Sequence, residues 1–572
     1  MRVLTSAATL VGFAVAAPSS TFNATTTSVL LPAGTVIGSV GDGVDYFGGI
    51  PFAQSPTGSL RLKPPVRLES FDSGSVHATG VGPACPQMTG LDTTPLFLSV
   101  LAVPNVLETL SFGSATGDET EDCLTMTVIR PQSVHNATDA KLPVLFWIYG
   151  GGFETGSPQM YDASAMIRES VAQGKPMIFV AVNYRLGAFG FLGGSEVLAD
   201  GAANLGLLDQ RMGLEWVADN IAAFGGNPDA VTIWGQSAGA MCVFDQLALF
   251  DGNNTYKGRP LFRGAIMNSG SITPTEPVDG VKAQQVFDTV VEAAGCAPAA
   301  NSTANSTKLE CLRGVDYETF YKASNSVPAY LSYDSLAFSY APRQDGRILT
   351  DSPEVLAQEG KYAAVPMIIG NQENEATIFS LFQENITTEA ALVSYLNDVF
   401  FHNATREEVE GLVATYPSNP DSPAGIGAAP INVTYPEFKR LAAILGDWEF
   451  VFPSRLLLES YPANVSAWSY LATYESGTPI LGTYHSTDMP RLYYETDEVS
   501  RSIQDTYISF VDCLDPNYYA KGNSSGYLTR WPRWQEKKQL LEFGANYTRL
   551  ITDDARAASY EYILARLESL RL

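Results

Sequence analysis

A serine flanked by glycines is the residue in this sequence best suited to chemistry. An apolar run at 231–234 leads directly into residues 235–239, which read Gly-Gln-Ser-Ala-Gly, and an apolar segment follows. This order predicts a strand, a sharp turn and a helix, with the hydroxyl of Ser237 exposed at the turn. The amide of Ala238, at the start of the helix, can donate a hydrogen bond to an oxyanion. The pattern predicts that Ser237 is a nucleophile; the alternative is an ordinary glycine-rich turn.

A second glycine-rich segment could supply further hydrogen-bond donors. The apolar run at 144–149 is followed by residues 150–153, which read Gly-Gly-Gly-Phe. Glycines let the backbone approach a ligand closely and present bare amides, which is what an oxyanion hole requires after a strand. The segment therefore predicts oxyanion donors, with a flexible turn as the alternative.

A serine hydroxyl needs a base, which in most enzymes is a histidine. The chain has four histidines. His77 and His135 precede the glycine loop, and His402 stands beside an Asn-x-Thr sequence. His485 follows an apolar run at 479–484 and is the last of the four, which fits the chain order serine, acid, histidine. We expect His485 to be the base.

The acid of such a triad should follow a strand between the serine and the histidine. The apolar run at 365–370 predicts that strand, and Glu373 and Glu375 both come directly after it. An acid holds the imidazole in the tautomer that accepts the serine proton, and it stabilises the imidazolium that forms. On chemistry alone, both glutamates remain candidates.

The segments that must position these residues predict an α/β fold. Continuous apolar runs are typical of strands buried on both faces of a mostly parallel sheet, and helical patterns such as 205–224 lie between them. No repeat, low-complexity linker or charge block marks a domain boundary, so 18–572 is predicted to be a single catalytic domain. The predicted strands are 144–149, 177–182, 231–234, 265–267 and 366–369.

The beginning of the chain predicts export. Residues 1–17 contain one cation, an apolar run at 10–15 and small residues at the end, which is typical of a secretory signal cut near Ala16 or Ala17. That run is too short to span a bilayer, and no other apolar run reaches spanning length. The protein is therefore predicted to be secreted and extracellular, without a transmembrane segment.

Glycosylation sequences and cysteines agree with export. The six cysteines suit an oxidising compartment; Cys85 and Cys123 bracket one loop, and Cys296 and Cys311 bracket another. Asn-x-Ser/Thr sequences, which predict a glycoprotein, occur at Asn23, Asn136, Asn253, Asn301, Asn305, Asn385, Asn403, Asn432, Asn464, Asn523 and Asn546.

Charge and motif content exclude several classes of partner. The formal net charge of −26 argues against binding to nucleic acid or to anionic membrane surfaces, because phosphate recognition needs clustered cations. There is no Cys-x-x-Cys and no His-Glu-x-x-His, so no metal site and no cofactor are predicted. The expected partner is a small-molecule or lipid ester, and the sequence gives no indication of oligomeric state.

Together these segments resemble the type-B carboxylesterase/lipase family of the α/β-hydrolase fold, and in particular its fungal secreted lipases and esterases. The similarity covers 46–65, 121–124, 142–156, 181–187 and 203–240, and beyond Ser237 it is confined to the surroundings of Glu375 and His485. The resemblance implies a secreted serine hydrolase that cleaves neutral carboxylic esters through an acyl-enzyme.

The resemblance also implies roles for individual residues. Ser237 matches the nucleophile and His485 the base. Glu375 matches the acid by its offset from Gly370, although Ala376 stands where the family usually has glycine. The implied oxyanion amides are those of Gly151, Gly152 and Ala238. The pairs Cys85–Cys123 and Cys296–Cys311 resemble the family's disulfides, whereas Cys242 and Cys513 match no partner.

The loop 85–123 corresponds to the lid of fungal lipases in this family. Its apolar residues would either open onto a lipid interface, giving transient contact with lipid, or pack only on the body of the protein, and periodicity does not separate the two. They are Leu96, Phe97, Leu98, Val100, Leu101, Val103, Val106, Leu107 and Leu110.

Three alternatives remain at this stage. A cholinesterase-type esterase fits less well, because this loop lacks the tryptophan that binds quaternary ammonium groups there and Gln236 replaces a glutamate. A non-catalytic adhesion or binding module would keep the fold, but such members have lost the serine that is present here. The choice between a lipase and a short-chain carboxylesterase stays open.

Overall fold

A wide mixed β-sheet forms the centre of the protein. The computed structural model describes residues 23–90, 92–103, 106, 118–135, 139–297, 307–417, 435–517 and 529–572. The strands are β1 (Asn23–Leu31), β2 (Gly34–Gly41), β3 (Val44–Pro51), β4 (Ser75–Ala78), β5 (Thr125–Pro131), β6 (Leu142–Ile148), β7 (Ile178–Val182), β8 (Gly226–Gln236), β9 (Thr255–Tyr256), β10 (Arg259–Pro260), β11 (Gly264–Asn268), β12 (Met367–Gln372), β13 (Ala467–Ala472), β14 (Gln539–Phe543) and β15 (Thr548–Thr552).

Helices flank this sheet. They are α1 (Pro95–Leu101), α2 (Ser164–Ala172), α3 (Gly187–Phe191), α4 (Ser195–Asp200), α5 (Leu205–Asn220), α6 (Ala238–Gly252), α7 (Val281–Ala293), α8 (Lys308–Gly314), α9 (Tyr317–Ser324), α10 (Pro353–Glu359), α11 (Glu389–Tyr395), α12 (Arg406–Ala414), α13 (Phe438–Gly446), α14 (Phe452–Ser460), α15 (Asp488–Tyr493), α16 (Glu498–Cys513), α17 (Trp534–Lys537) and α18 (Ala557–Leu564).

The large sheet has the strand order β1-β2-β3-β5-β7-β6-β8-β11-β12-β13-β14-β15, with β4 paired to β2. Strands β7, β6, β8, β11, β12, β13 and β14 are parallel neighbours. Strands β7 and β11 are buried along their whole length, which explains their continuous apolar sequences. The predicted α/β-hydrolase architecture with a mostly parallel centre is confirmed.

Antiparallel strands extend the sheet at both edges, which the apolar runs did not predict. Strands β1, β2, β3, β5 and β7 pair antiparallel at one edge, and β14 and β15 do so at the other. At the edge, β1 alternates buried with exposed residues and β2 mixes buried with half-buried residues, so their sequences lack the unbroken apolar run of a central strand.

The structure locates some of the features that the sequence associates with export. The structure contains the disulfides Cys85–Cys123 and Cys296–Cys311; Cys242 is a buried free thiol and Cys513 an exposed one. No helix within the described ranges is long and apolar enough to cross a membrane. The predicted signal peptide, residues 1–17, lies outside the described residues.

Five of the predicted glycosylation asparagines have described side chains, and all five are exposed: Asn253, Asn385, Asn403, Asn464 and Asn546. A glycan can be attached only to an exposed asparagine, and these five meet that requirement. Their glycosylation stays a prediction. The side chains of the others lie outside the described part of the chain: Asn23, Asn136, Asn301, Asn305, Asn432 and Asn523.

Candidate active site

Ser237 occupies a strained turn between strand β8 and helix α6. Its backbone has φ 57° and ψ −133°, and its amide donates to the Asn268 carbonyl over 2.9 Å. A Cβ on Gly235 would lie 2.2 Å from the carbonyl oxygen of Gly239, and a Cβ on Gly239 would lie 2.1 Å from that of Ile148. Only glycine fits these two positions, so the Gly-x-Ser-x-Gly pattern reflects real backbone crowding.

The glycine loop after β6 lies directly against the turn that carries Ser237. A Cβ on Gly150 would come within 2.9 Å of the Ser237 Cβ. Gly151 and Gly152 have φ values of 110° and 64°, which favour glycine. In the part of the chain that the structure describes, the amides of Gly151, Gly152 and Ala238 donate to no other group. They are available to an incoming oxyanion.

His485 and Glu375 form a buried pair. The Nδ1 atom of His485 lies 2.6 Å from Glu375 Oε2, and the two side chains are 6% and 1% exposed. The second carboxylate oxygen, Oε1, accepts the backbone amide of Gln372 over 2.7 Å. Since a carboxylate faces Nδ1, that nitrogen carries the proton of the neutral imidazole and Nε2 is left as the acceptor.

Glu373, the other candidate acid, has different neighbours. Burial raises the pKa of its carboxyl, the charge of Glu542 raises it further, and the charge of Arg556 lowers it. Within the described residues, Glu373 makes no contact with His485. The chain thus turns after β12 so that Glu375, and not Glu373, contacts the histidine.

Hydrogen bonds join the two loops that carry the acid and the histidine. The backbone of Asn374 donates to the Thr483 carbonyl over 2.9 Å, and its side-chain oxygen accepts the Thr483 amide over 3.0 Å. The Thr487 hydroxyl donates to Gln372 Oε1 over 3.1 Å. These contacts span more than a hundred residues of sequence and hold Glu375 and His485 in register.

A second network connects the turn of Ser237 to the segment after His485. Asn268, whose carbonyl accepts the Ser237 amide, donates from Nδ2 to Asp488 Oδ2 over 2.7 Å. Its side-chain oxygen accepts the indole N–H of Trp234 over 3.0 Å. Burial raises the pKa of Asp488 to about 6, and the hydrogen bond from Asn268 opposes that rise. The sequence offered no signal for this role of Asn268 and Asp488.

Two phenylalanines flank the imidazole. The ring centroids of Phe450 and Phe379 lie 4.8 Å and 5.1 Å from that of His485. Phe379 lies in the 3-10 turn Ile378–Ser380, and Phe450 in the π-helical turn Asp447–Val451. Neither was predicted, because a phenylalanine in an apolar helical stretch is usually a core residue.

The other histidines lie elsewhere. His77 is on the edge strand β4, and His135 contacts Asp45 and Thr27. His402 is on the surface, and desolvation of its ring, together with the charge of Lys282, lowers its pKa. Across the described ranges, no group of three or more His, Cys, Asp or Glu side chains is arranged to hold a metal ion.

A family model described as "Carboxylesterase family" matches residues 25–562. The chain belongs to the carboxylesterase family. It is 50% identical over 551 residues to "Secreted lipase 1" of Botryotinia fuckeliana, which covers 96% of this chain and 94% of the relative. It is 49% identical over 569 residues to "Secreted triacylglycerol lipase LIP1" of Gibberella zeae, covering 97% and 93%.

A crystal structure of Aspergillus niger EstA is similar to this carboxylesterase, with a TM-score of 0.77, 26% identity, and coverage of 96% of this chain and 99% of that one. These findings confirm the family resemblance and the fold inferred from the motifs. The chain is a secreted carboxylic ester hydrolase that acts on ester substrates. The non-catalytic alternative is therefore wrong for this carboxylesterase.

Proposed function

We propose that Ser237, His485 and Glu375 form the catalytic triad of this hydrolase. The observation that carries the proposal is the 2.6 Å contact between His485 Nδ1 and Glu375 Oε2, which leaves Nε2 as the acceptor nitrogen. The strained turn of Ser237 supports the role of its hydroxyl as nucleophile.

In this mechanism the Ser237 Oγ attacks the ester carbonyl carbon while His485 Nε2 takes the hydroxyl proton. The amides of Gly151, Gly152 and Ala238 hold the negative oxygen of the tetrahedral intermediate. His485 then gives its proton to the departing alkoxide, which leaves as the alcohol and leaves an acyl-serine. A water molecule, deprotonated by His485, attacks the acyl carbon; the bond to the Ser237 oxygen then breaks, His485 returns the proton to that oxygen, and the acid is released.

Covalent labelling tests the identity of the nucleophile. We expect a fluorophosphonate probe to label the purified protein once, on the peptide that contains Ser237, because an activated serine displaces fluoride from phosphorus. The measurement is mass spectrometry of the digested adduct. The Ser486→Ala variant should label like the unmodified protein, whereas Ser237→Ala should not label. Stoichiometric label on another residue would contradict the triad.

We further propose that the substrates include long-chain acyl esters presented at a lipid interface, and that loop 85–123 is a lid. Helix α1 in this loop buries Leu96, Phe97 and Val100, while Leu98 is 50% exposed. The Phe97 ring lies 5.1 Å from that of Phe382. The Thr94 hydroxyl, at the N-terminal cap of α1, donates to the Leu381 carbonyl over 3.0 Å.

The position of helix α1 supports a lid next to the reacting groups. Leu381 and Phe382 directly follow the turn whose Phe379 packs on His485. Movement of α1 would uncover its buried apolar side chains beside the imidazole, which suits acyl chains. The relative from Gibberella zeae, named a triacylglycerol lipase, supports the same substrate class. Residues 107–117 of the loop, including Leu107 and Leu110, lie outside the described residues.

Replacing Leu98 with aspartate should separate the lid function from the chemistry. We expect roughly a tenfold lower rate on an emulsified long-chain ester, because an exposed leucine that enters lipid contributes about 1.5 kcal/mol or more to binding at the interface. The rate on a soluble ester should be unchanged. The matched control is Val281→Asp on helix α7, where the valine is 61% exposed. Equal rates for the two variants on the emulsion would contradict the lid.

The second candidate is a short-chain carboxylesterase. It predicts rates that do not rise when the substrate concentration passes its solubility limit, at any acyl length. A lipase predicts a steep rise at that limit for long chains. Measuring rates across acyl lengths on both sides of the limit decides between them.

A further inference from the structure

Gln236 precedes the nucleophile, and its side chain contacts the histidine. Its Nε2 atom lies 3.2 Å from His485 Nε2 and 2.8 Å from the Ser486 hydroxyl oxygen. The residue is only 3% exposed. The contact is made to the nitrogen that must accept the serine proton, so the amide acts at the centre of the chemistry.

The orientation of this amide follows from its surroundings. Because Glu375 faces Nδ1, the Nε2 atom of a neutral imidazole has a lone pair and no hydrogen, so of the two polar ends of the Gln236 amide only the N–H end can bond to it. The amide oxygen lies on the opposite side, against the glycine loop, where a Cβ on Gly150 would be 3.0 Å from Gln236 Oε1. The nitrogen therefore faces His485.

We propose that Gln236 is a positioning residue whose amide N–H bonds to the His485 Nε2 lone pair in the resting enzyme, which fixes the imidazole ring and opposes its protonation by the medium. This inference rests on the triad proposed above. A protonated Nε2 would direct an N–H at the N–H of Gln236, which is repulsive, whereas the neutral ring accepts it.

The carboxylates near His485 work in the opposite direction. The charged groups that act on His485 are Glu375, at Nδ1, and Asp488, whose carboxyl interacts electrostatically with both members of the pair. Both carboxylates favour the imidazolium. The flanking rings of Phe379 and Phe450 are uncharged. Gln236 is therefore the neutral donor that balances two acids.

Ser486 keeps the amide in place during the reaction. The Gln236 amide has two hydrogens, one directed at His485 Nε2 and the other at the Ser486 oxygen. When Nε2 takes the serine proton, the bond to Ser486 remains. The amide can then return to Nε2 when the proton leaves with the alcohol.

The test is the pH profile of kcat/KM on a soluble nitrophenyl ester. We expect the acid limb of the Gln236→Glu profile to move to higher pH by at least about one unit, because a carboxylate about 3 Å from Nε2 stabilises the imidazolium. At acidic pH, kcat/KM of this variant should be about tenfold lower than that of the unmodified enzyme, and it should recover on the alkaline side. Gln236→Met, which has similar size and no N–H donor, should move the limb in the same direction by less. Ser269→Ala is the control, because the hydroxyl of this buried serine has no hydrogen-bond partner within the described residues, and it should leave the limb in place.

A merely structural role for Gln236 predicts lower kcat at every pH without movement of the acid limb, and that result in either variant would overturn the proposal. Fluorophosphonate labelling of the same variants separates the two proposals. An unmoved limb in enzyme that still labels on Ser237 rejects the role of Gln236 alone, whereas label on a different residue rejects the triad.

Discussion

Replacing Ser237 with alanine is expected to lower kcat for a soluble nitrophenyl ester by about 10⁴- to 10⁶-fold, with little change in the free energy of unfolding. The large effect follows from the loss of the covalent step. Without an acyl-enzyme, a water molecule must attack the ester carbonyl directly. The residual rate would come from the oxyanion amides and from substrate binding. Steady-state kinetics and thermal unfolding of the purified variant measure the two quantities.

Ser269→Ala is the matched control for this experiment. Ser269 follows strand β11, the neighbour of β8, has φ 54°, and is fully buried. Its hydroxyl has no hydrogen-bond partner within the described residues. We expect this variant to retain activity within a few-fold. A Ser237→Ala enzyme that kept more than about one hundredth of its kcat would contradict a serine mechanism at this position.

Replacing Glu375 with glutamine is expected to lower kcat by about 10³- to 10⁴-fold. The amide keeps the size of the side chain but loses the negative charge that stabilises the imidazolium. It can also direct an N–H at Nδ1, which favours the tautomer with its proton on Nε2, and that tautomer cannot accept the serine proton. Single-turnover kinetics on a soluble ester measure the loss in the chemical step directly.

Glu373→Gln gives this prediction its control, because the two glutamates follow the same strand and were chemically equivalent candidates. Glu373 lies near Glu542 and Arg556 and makes no described contact with His485. We expect its variant to stay within about fivefold of the unmodified enzyme. A larger loss from Glu373→Gln than from Glu375→Gln would reverse the assignment of the acid.

The turns around the reacting groups were predictable because their causes are local. The crowding at Gly235 and Gly239 comes from backbone atoms brought close by the turn itself and by the adjacent strand β6. The central strands were predictable for a similar reason, since burial on both faces requires unbroken apolar runs such as that of β7. The predicted helix at 205–224 agrees with α5 and the 3-10 turn that follows it.

The local sequence did not decide which of the two glutamates contacts the histidine. The sequence placed Glu373 and Glu375 after the same strand, and family resemblance alone favoured the second. The geometry depends on the turn that follows β12, in which the Gln372 amide donates back to Glu375 Oε1. It also depends on Thr483, which bonds to Asn374 from over a hundred residues away. No pattern within one segment encodes such a pairing.

The sequence by itself determined the turn of Ser237, the glycine loop, the order of the proposed triad residues and the parallel centre of the sheet, because backbone sterics and burial act over a few residues. Only the tertiary structure decided what surrounds His485: the carboxylate at Nδ1, the amide of Gln236 near Nε2 and the rings of Phe379 and Phe450. Those contacts join distant segments. Their energies depend on distances of a few ångströms, which composition and spacing along the chain do not specify.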